Sequence, residues 1–179
     1  MAVSIEIIKQ LRELTSASVS DCKAALDEAK GDIYTAAELL KKRGLEIAAK
    51  KASRAANQGR VEAYIHHGNK IGVLVEVNSE TDFVARNEEF VRFTKDVAMQ
   101  IAATDPRYLK KEDVGADVLA DLNDKQKNDF FKVNCLLSQP FIKDDKLSIG
   151  EYLTCVVAKI GENIIVRRFC RFRLGEDEK

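Results

Sequence analysis

The sequence predicts an α+β protein in which a small three-helix module precedes a core of helices packed on a three-stranded antiparallel sheet. Three observations carry that prediction. Apolar residues recur at helical spacing through residues 1–44. They alternate along residues 61–65 and 71–77 on either side of a glycine turn. A run rich in β-branched and aromatic residues, 164–174, lies near the end of the chain.

In the first segment, Ile8, Leu11 and Leu14 mark one helix, Cys22, Ala25, Leu26 and Ala29 a second, and Ile33, Ala36, Ala37 and Leu40 a third. Gly31 followed by Asp32 reads as a helix stop and a new N-cap, and Gly44 as the end of the third helix. A module of 44 residues sits near the limit of independent stability, so it is expected to be tethered to a larger body. Residues 45–58 are rich in Ala and Lys and read as a basic connecting helix. Between Lys41 and Arg60 seven cations face the single anion Glu46. That is either a solvated helix face or a surface for an acidic patch on a partner.

The core is expected over 59–179. Val61, Ala63 and Ile65 form one strand, His67 to Lys70 turn around Gly68, and Ile71, Val73, Val75 and Val77 form the returning strand of a hairpin. Phe90, Phe93, Val97 and Ile101 then recur at helical spacing. Residues 104–116, with Asp105-Pro106, read as loop, 117–137 as helical in its first part, and Gln139-Pro140-Phe141 as a turn or extended stretch. Ser148 and Glu151 form a capping box for a helix with Ile149, Tyr152, Leu153, Val156, Val157 and Ile160 on its apolar face and Gly161 as its left-handed cap. The last strand carries Arg167, Arg168, Arg171 and Arg173.

Between the hairpin and the Phe90 helix stands Thr81-Asp82-Phe83-Val84-Ala85-Arg86-Asn87. Asn87 can cap the following helix, with Glu88 and Glu89 at the positive end of its dipole. Ser79 and Asp82 also have capping-box spacing, which would make the motif a first helical turn. Residue types leave two readings of its role. Phe83 packs inward while Asp82 caps a helix, or an apolar tip and an anion enter a partner.

Composition narrows the class. Lys plus Arg and Asp plus Glu both total 29, so no global basic field favours direct nucleic-acid binding. No run approaches the roughly 18–20 apolar residues that span a bilayer. Cys22, Cys135, Cys155 and Cys170 form no CxxC pair, which supports neither a zinc site nor a disulfide framework. His66 and His67 are the only histidines, and neighbours on a strand point to opposite faces, a poor metal chelate. No phosphate-binding glycine motif or nucleophile motif is present, so no catalytic residue, metal or cofactor is expected.

The motif at Thr81 to Asn87, together with Asp21-Cys22-Lys23-Ala24-Ala25-Leu26, the Gly31-Asp32-Ile33 turn and Ala158-Lys159-Ile160-Gly161-Glu162-Asn163-Ile164, resembles bacterial and organellar elongation factor Ts in its short form. The resemblance covers nearly the whole chain, in order. It implies a ubiquitin-associated-like helical module, an α/β core and a guanine nucleotide exchange factor without covalent chemistry. The implied partner is elongation factor Tu, GDP-bound and nucleotide-free, in the bacterial cytoplasm or an organellar matrix. It further implies that Asp82 and Phe83, flanked by Thr81 and Val84, enter the GTPase beside its magnesium and phosphate site. His67 and Ile160-Gly161 would make further contacts, and Lys23 and Lys51 would dock the N-terminal part. Residues 15–20 lack the family's Gly and paired methionines, leaving Val19 as the apolar docking tip, and 117–137 is short. Short-form relatives can dimerise near Cys170, which allows a homodimer disulfide there, whereas a reduced, buried thiol is the ordinary expectation. The competing class is an adaptor or assembly protein that uses the helical module and has no exchange activity.

Overall fold

The computed structural model describes residues 3–15 and 17–176. The chain divides into two compact units, Met1–Arg54 with Thr154–Asn163, and Ala55–Leu153 with Ile164–Lys179.

The first unit contains α1 (Ile5–Thr15), α2 (Val19–Glu28) and α3 (Ile33–Lys51). Leu11, Cys22, Ala25, Leu26, Ala29 and Ala36 are its buried centre, the positions that helical spacing selects. Ser18 caps α2 by accepting from the Asp21 amide at 3.1 Å, and Asp32 caps α3 by accepting from the Thr35 amide at 2.6 Å. That amide hydrogen bond pulls the Asp32 carboxyl below the usual range. Gly31 lies at φ +89° and donates to the Leu26 carbonyl, so the stop between α2 and α3 falls where expected.

Gly44 does not end the third helix. It is a buried interior residue of α3, which continues to Lys51, so the expected connecting helix over 45–58 is the last two turns of α3 followed by Ala52 to Asn57 outside any helix or strand. A terminating glycine adopts a left-handed φ, and Gly44 is absent from the positive-φ residues. A methyl group at Gly44 would stand 3.8 Å from the Ala158 Cβ and the Thr154 Cγ2, so the small residue admits a helix from later in the chain at close range.

The second unit is built on β1 (Gln58–Ile65), β2 (Ile71–Ser79) and β5 (Ile165–Arg173), an antiparallel sheet in the order β1-β2-β5. Val73, Val75, Val77 and Val166 point from one face, and α5 (Glu88–Thr104) supplies Phe90, Phe93, Val97 and Ile101; all eight are buried. Val61, Ile65, Leu74 and Phe172 lie on the opposite face and are exposed. Gly59, at φ +135°, is required in β1, because a Cβ there would meet the Val77 carbonyl oxygen at 2.2 Å.

One element differs from the sequence expectation, and the extended reading of another is completed into a hairpin. Residues 116–137 hold one short turn, α6 (Ala116–Leu119), and the longer helix lies in the second half as α7 (Asp124–Asn134). Asn123 and Gln126 form its capping box, and no residue of α7 is buried, which is why no apolar period announced it. The Pro140 stretch is half of a second hairpin, β3 (Pro140–Phe141) with β4 (Asp144–Ser148), held by buried amides. Gln100 on α5 donates to Gln139 at 3.2 Å and to the Pro140 carbonyl at 3.1 Å, and accepts from the Ile142 amide at 2.9 Å. These bonds join residues about 40 positions apart, beyond the reach of any local pattern.

The helix α8 (Ile149–Ile160) begins with the expected box, Ser148 accepting from the Glu151 amide and Glu151 from the Ser148 amide. It ends at Gly161, φ +81°, whose amide donates to the Val157 carbonyl at 2.8 Å.

Candidate functional site

The motif after β2 folds as α4 (Asp82–Ala85), one turn with its own caps, followed directly by α5. Ser79 is fully buried, and its hydroxyl donates to the Thr81 carbonyl at 2.8 Å, which fixes the chain as it leaves the sheet. The Thr81 hydroxyl accepts from the Val84 amide at 3.5 Å and caps α4, while Asn87 accepts from the Glu89 amide at 2.8 Å and caps α5. Both registers that the sequence leaves open thus occur in succession, with Thr81 as the first cap in place of Ser79.

This arrangement decides the orientation of the motif. Val84 is half-buried and anchors the turn, whereas Phe83 is 80% exposed. The inward reading of Phe83 is incorrect, because capping on both sides fixes which residues of so short a helix face the sheet. Asp82 does not cap. Its carboxylate is on the outside, 3.1 Å from the Arg86 guanidinium one turn later. Sequence reasoning passed over Arg86, although the i, i+4 spacing of Asp82 and Arg86 is the available signal.

A buried polar cluster ties β1 to α5. Thr94 donates to the Glu62 carboxylate at 3.1 Å, and Arg60 approaches the same carboxylate at 2.8 Å. Charge neutralisation keeps this anion tolerable under the sheet, so the helix following the motif is held in register with β1.

The other candidate residues fall elsewhere. His67 is exposed in the β1–β2 turn, where Gly68 and Asn69 take positive φ and Tyr64 hydrogen-bonds His66 at 3.1 Å. The turn and the Phe83 motif lie at opposite ends of β2, a strand length of roughly 25 Å. They do not form one pocket. Cys170 is exposed on the outer sheet face opposite Leu74, which corrects the expectation of a buried thiol.

Lys23, Lys51, Val19, Ile160 and Gly161 belong to the first unit. Val19 is the exposed first residue of α2, Lys23 is exposed one turn on, and Lys51 ends α3. The structure brings Lys51 and Gly161 into one neighbourhood through Asn163. The buried Asn163 amide donates to the Arg54 carbonyl at 2.7 Å and reaches the Ala52 carbonyl at 3.5 Å, pinning the end of α3 to the loop after α8. No spacing rule identifies a bond across more than 100 residues.

Among the described residues, no group of three or more His, Cys, Asp or Glu side chains could hold a metal ion, and no helix is long and apolar enough to cross a membrane. Comparison with known proteins matches residues 2–129 to the family model described as elongation factor TS. The chain is 51% identical to elongation factor Ts of Anaeromyxobacter sp. (strain Fw109-5), covering 97% of this chain and 89% of the relative. It is 48% identical to elongation factor Ts of Caldanaerobacter subterraneus subsp. tengcongensis, with 97% and 98% covered, and 48% identical to that of Carboxydothermus hydrogenoformans, with 97% and 90% covered. These alignments run to 195 positions against a chain of 179 residues, so they contain positions that this chain lacks.

Proposed function

This chain belongs to the elongation factor Ts family of translation elongation factors, and we propose that it promotes release of GDP from elongation factor Tu by inserting the Asp82–Phe83 turn beside the magnesium and phosphate site. The observation that carries this reading is Phe83, an aromatic side chain 80% exposed on a helical turn capped at both ends. Burying a phenylalanine releases about 1.5–3 kcal/mol, which a free factor with Phe83 in water leaves unrealised. A partner groove recovers it. Because the caps fix the turn beforehand, little ordering entropy opposes insertion.

Exchange needs no covalent step. A factor that binds the nucleotide-free GTPase more tightly than the GDP-bound form weakens GDP by the same ratio. A roughly ten-thousand-fold weakening requires about 5.5 kcal/mol of differential binding, which a few buried contacts supply. In this reading Phe83 wedges between elements of the GTPase, and Asp82 disturbs the groups around its magnesium. Thr81 and Val84 hold the turn in place. His67 at the far end of β2, Ile160 and Gly161 at the end of α8, and Lys23, Lys51 and Val19 of the helical unit provide further docking. The expected setting is the bacterial cytoplasm or an organellar matrix.

Release of labelled GDP from elongation factor Tu tests this. Wild type should accelerate release, and Phe83→Ala should lower the acceleration at least about tenfold while keeping the native fold. A wild-type chain that binds the GTPase without accelerating release would instead establish the adaptor reading.

A second reading concerns assembly. The exposed outer sheet face of Val61, Ile65, Leu74 and Phe172 surrounds Cys170, and supports a homodimer formed through that face with Cys170 near its centre. Light scattering with and without reductant, repeated on Cys170→Ser, separates a disulfide dimer from a packed one and from a monomer.

A further inference from the structure

At the edge of the sheet, β5 carries an irregularity with a consequence for binding. Arg168 pairs with Glu76, but the next pair toward the start of β5 is Val166 with Val77, so Arg167 is an extra residue without a partner on β2. Such a bulge re-aims the side chains around it. Here Arg167, Arg168 and Phe169, three consecutive residues, all line one groove of about 470 Å³.

The opposite wall is the segment Arg107 to Asp113, and it is preformed. The Arg107 and Tyr108 amides donate to the Asn134 carbonyl, and the Leu136 and Leu137 amides donate to the Tyr108 and Leu109 carbonyls. Leu109, Ile165 and Phe169 contribute apolar surface, and Arg107, Lys110, Arg167 and Arg168 contribute four cations against the one carboxylate of Asp113. Arg168 is engaged by Glu76 at 2.7 Å. Arg107, Lys110 and Arg167 have no ion pair among the described residues. Among the described residues, sheet order leaves the groove side of β5 without a neighbouring strand.

We infer that this groove binds an extended acidic segment of a protein partner, which adds as a strand along β5 and sets its carboxylates against Arg107, Lys110 and Arg167. A free strand edge offers backbone pairing that only a polypeptide can use, and alternate side chains of an added strand would meet the apolar wall. The cations ring that apolar surface without being deeply buried, a geometry that suits a side chain row better than an isolated phosphate. A nucleic acid is disfavoured by the zero net charge of the chain, which supplies no wider field for a polyanion. The site is separate from the Asp82–Phe83 turn and does not depend on the exchange reading.

The test uses the full chain and a fluorescein-labelled octapeptide of alternating Glu and Val, followed by fluorescence polarisation. Saturable binding is expected, weakened at least about tenfold by Arg107→Glu with Arg167→Glu and unchanged by Phe83→Ala. The single variants Arg167→Ala and Lys110→Ala, checked by circular dichroism, provide the same readout if the double reversal does not fold. The same peptide methylated on alternate amides should lose binding, since its charge remains while its strand pairing is blocked. Absence of saturable binding, equal binding of a Lys–Val octapeptide or of the methylated peptide, or tighter binding of a single-stranded oligonucleotide would each overturn the inference.

Discussion

Arg86 reaches back one helical turn to Asp82, with 3.1 Å between guanidinium and carboxylate, and both side chains stand in water. A surface pair of this kind contributes little to folding, so Arg86→Ala should change the unfolding free energy by less than about 0.5 kcal/mol in urea titrations. Asp82→Asn should be equally mild for stability yet slow GDP release. A loss above about 1 kcal/mol from either substitution would mean that the pair holds α4 together, a structural role in place of the proposed one.

Gly44 stands inside a helix with room for a methyl group. Gly44→Ala should therefore stabilise the protein by about 0.5–1 kcal/mol, because alanine loses less backbone entropy in a helix. Thermal unfolding of Gly44→Ala and Gly44→Val checks this, with the larger, β-branched residue expected to reverse the gain by crowding Ala158 and Thr154.

The Gln100 amide satisfies three groups of the β3–β4 hairpin and its approach. Gln100→Ala removes the donor to the Pro140 carbonyl and the acceptor of the Ile142 amide, while Gln139 keeps its hydrogen bond from Thr104, at about 1–3 kcal/mol for each group that water cannot reach. A net loss of about 3 kcal/mol is expected by chemical denaturation, together with faster hydrogen exchange at the Ile142 amide.

Asn163→Ala removes the donor that joins the α3 end to the loop after α8. The expected loss is about 1–2 kcal/mol. If this neighbourhood docks the GTPase, the variant should raise the concentration needed for half-maximal exchange while leaving the maximal rate near wild type. A fall in the maximal rate alone would argue against docking there.

The four thiols should separate into two classes. Burial pushes the Cys22 and Cys135 thiols above their ordinary range, and Cys155 and Cys170 are exposed. Ellman's reagent at neutral pH should therefore modify two thiols of the native protein quickly and the other two only on unfolding. The raised groups also set a pH direction. Their contribution to stability is complete below the unfolded thiol pKa and is lost as pH rises through the higher folded value. Cys22→Ser and Cys135→Ser should flatten the alkaline limb of the stability profile.

What the sequence determined by itself is whatever is encoded within a few residues. The strand alternation from Ile71 to Val77, the capping boxes of Ser148 with Glu151, the Gly31 stop and the apolar stripe of α5 all follow from backbone geometry repeated over one or two turns, and the structure reproduces them. The motif from Thr81 to Asn87 was also legible as a specific pattern. Its exposure was not, because whether Phe83 faces the sheet or water depends on Thr81 and Asn87 capping separate helices and on Ser79 locking the strand exit.

Tertiary structure alone decided the features that depend on distant partners. Gly44 passes through a helix because residues more than 100 positions later pack against it, and Asn163 finds its acceptors at the far end of α3. The Pro140 hairpin exists because Gln100 satisfies it, and Arg167 reaches the edge groove because β5 slips by one residue against β2. In each case the same local sequence is compatible with another conformation, and a hydrogen bond or contact across the fold selects between them.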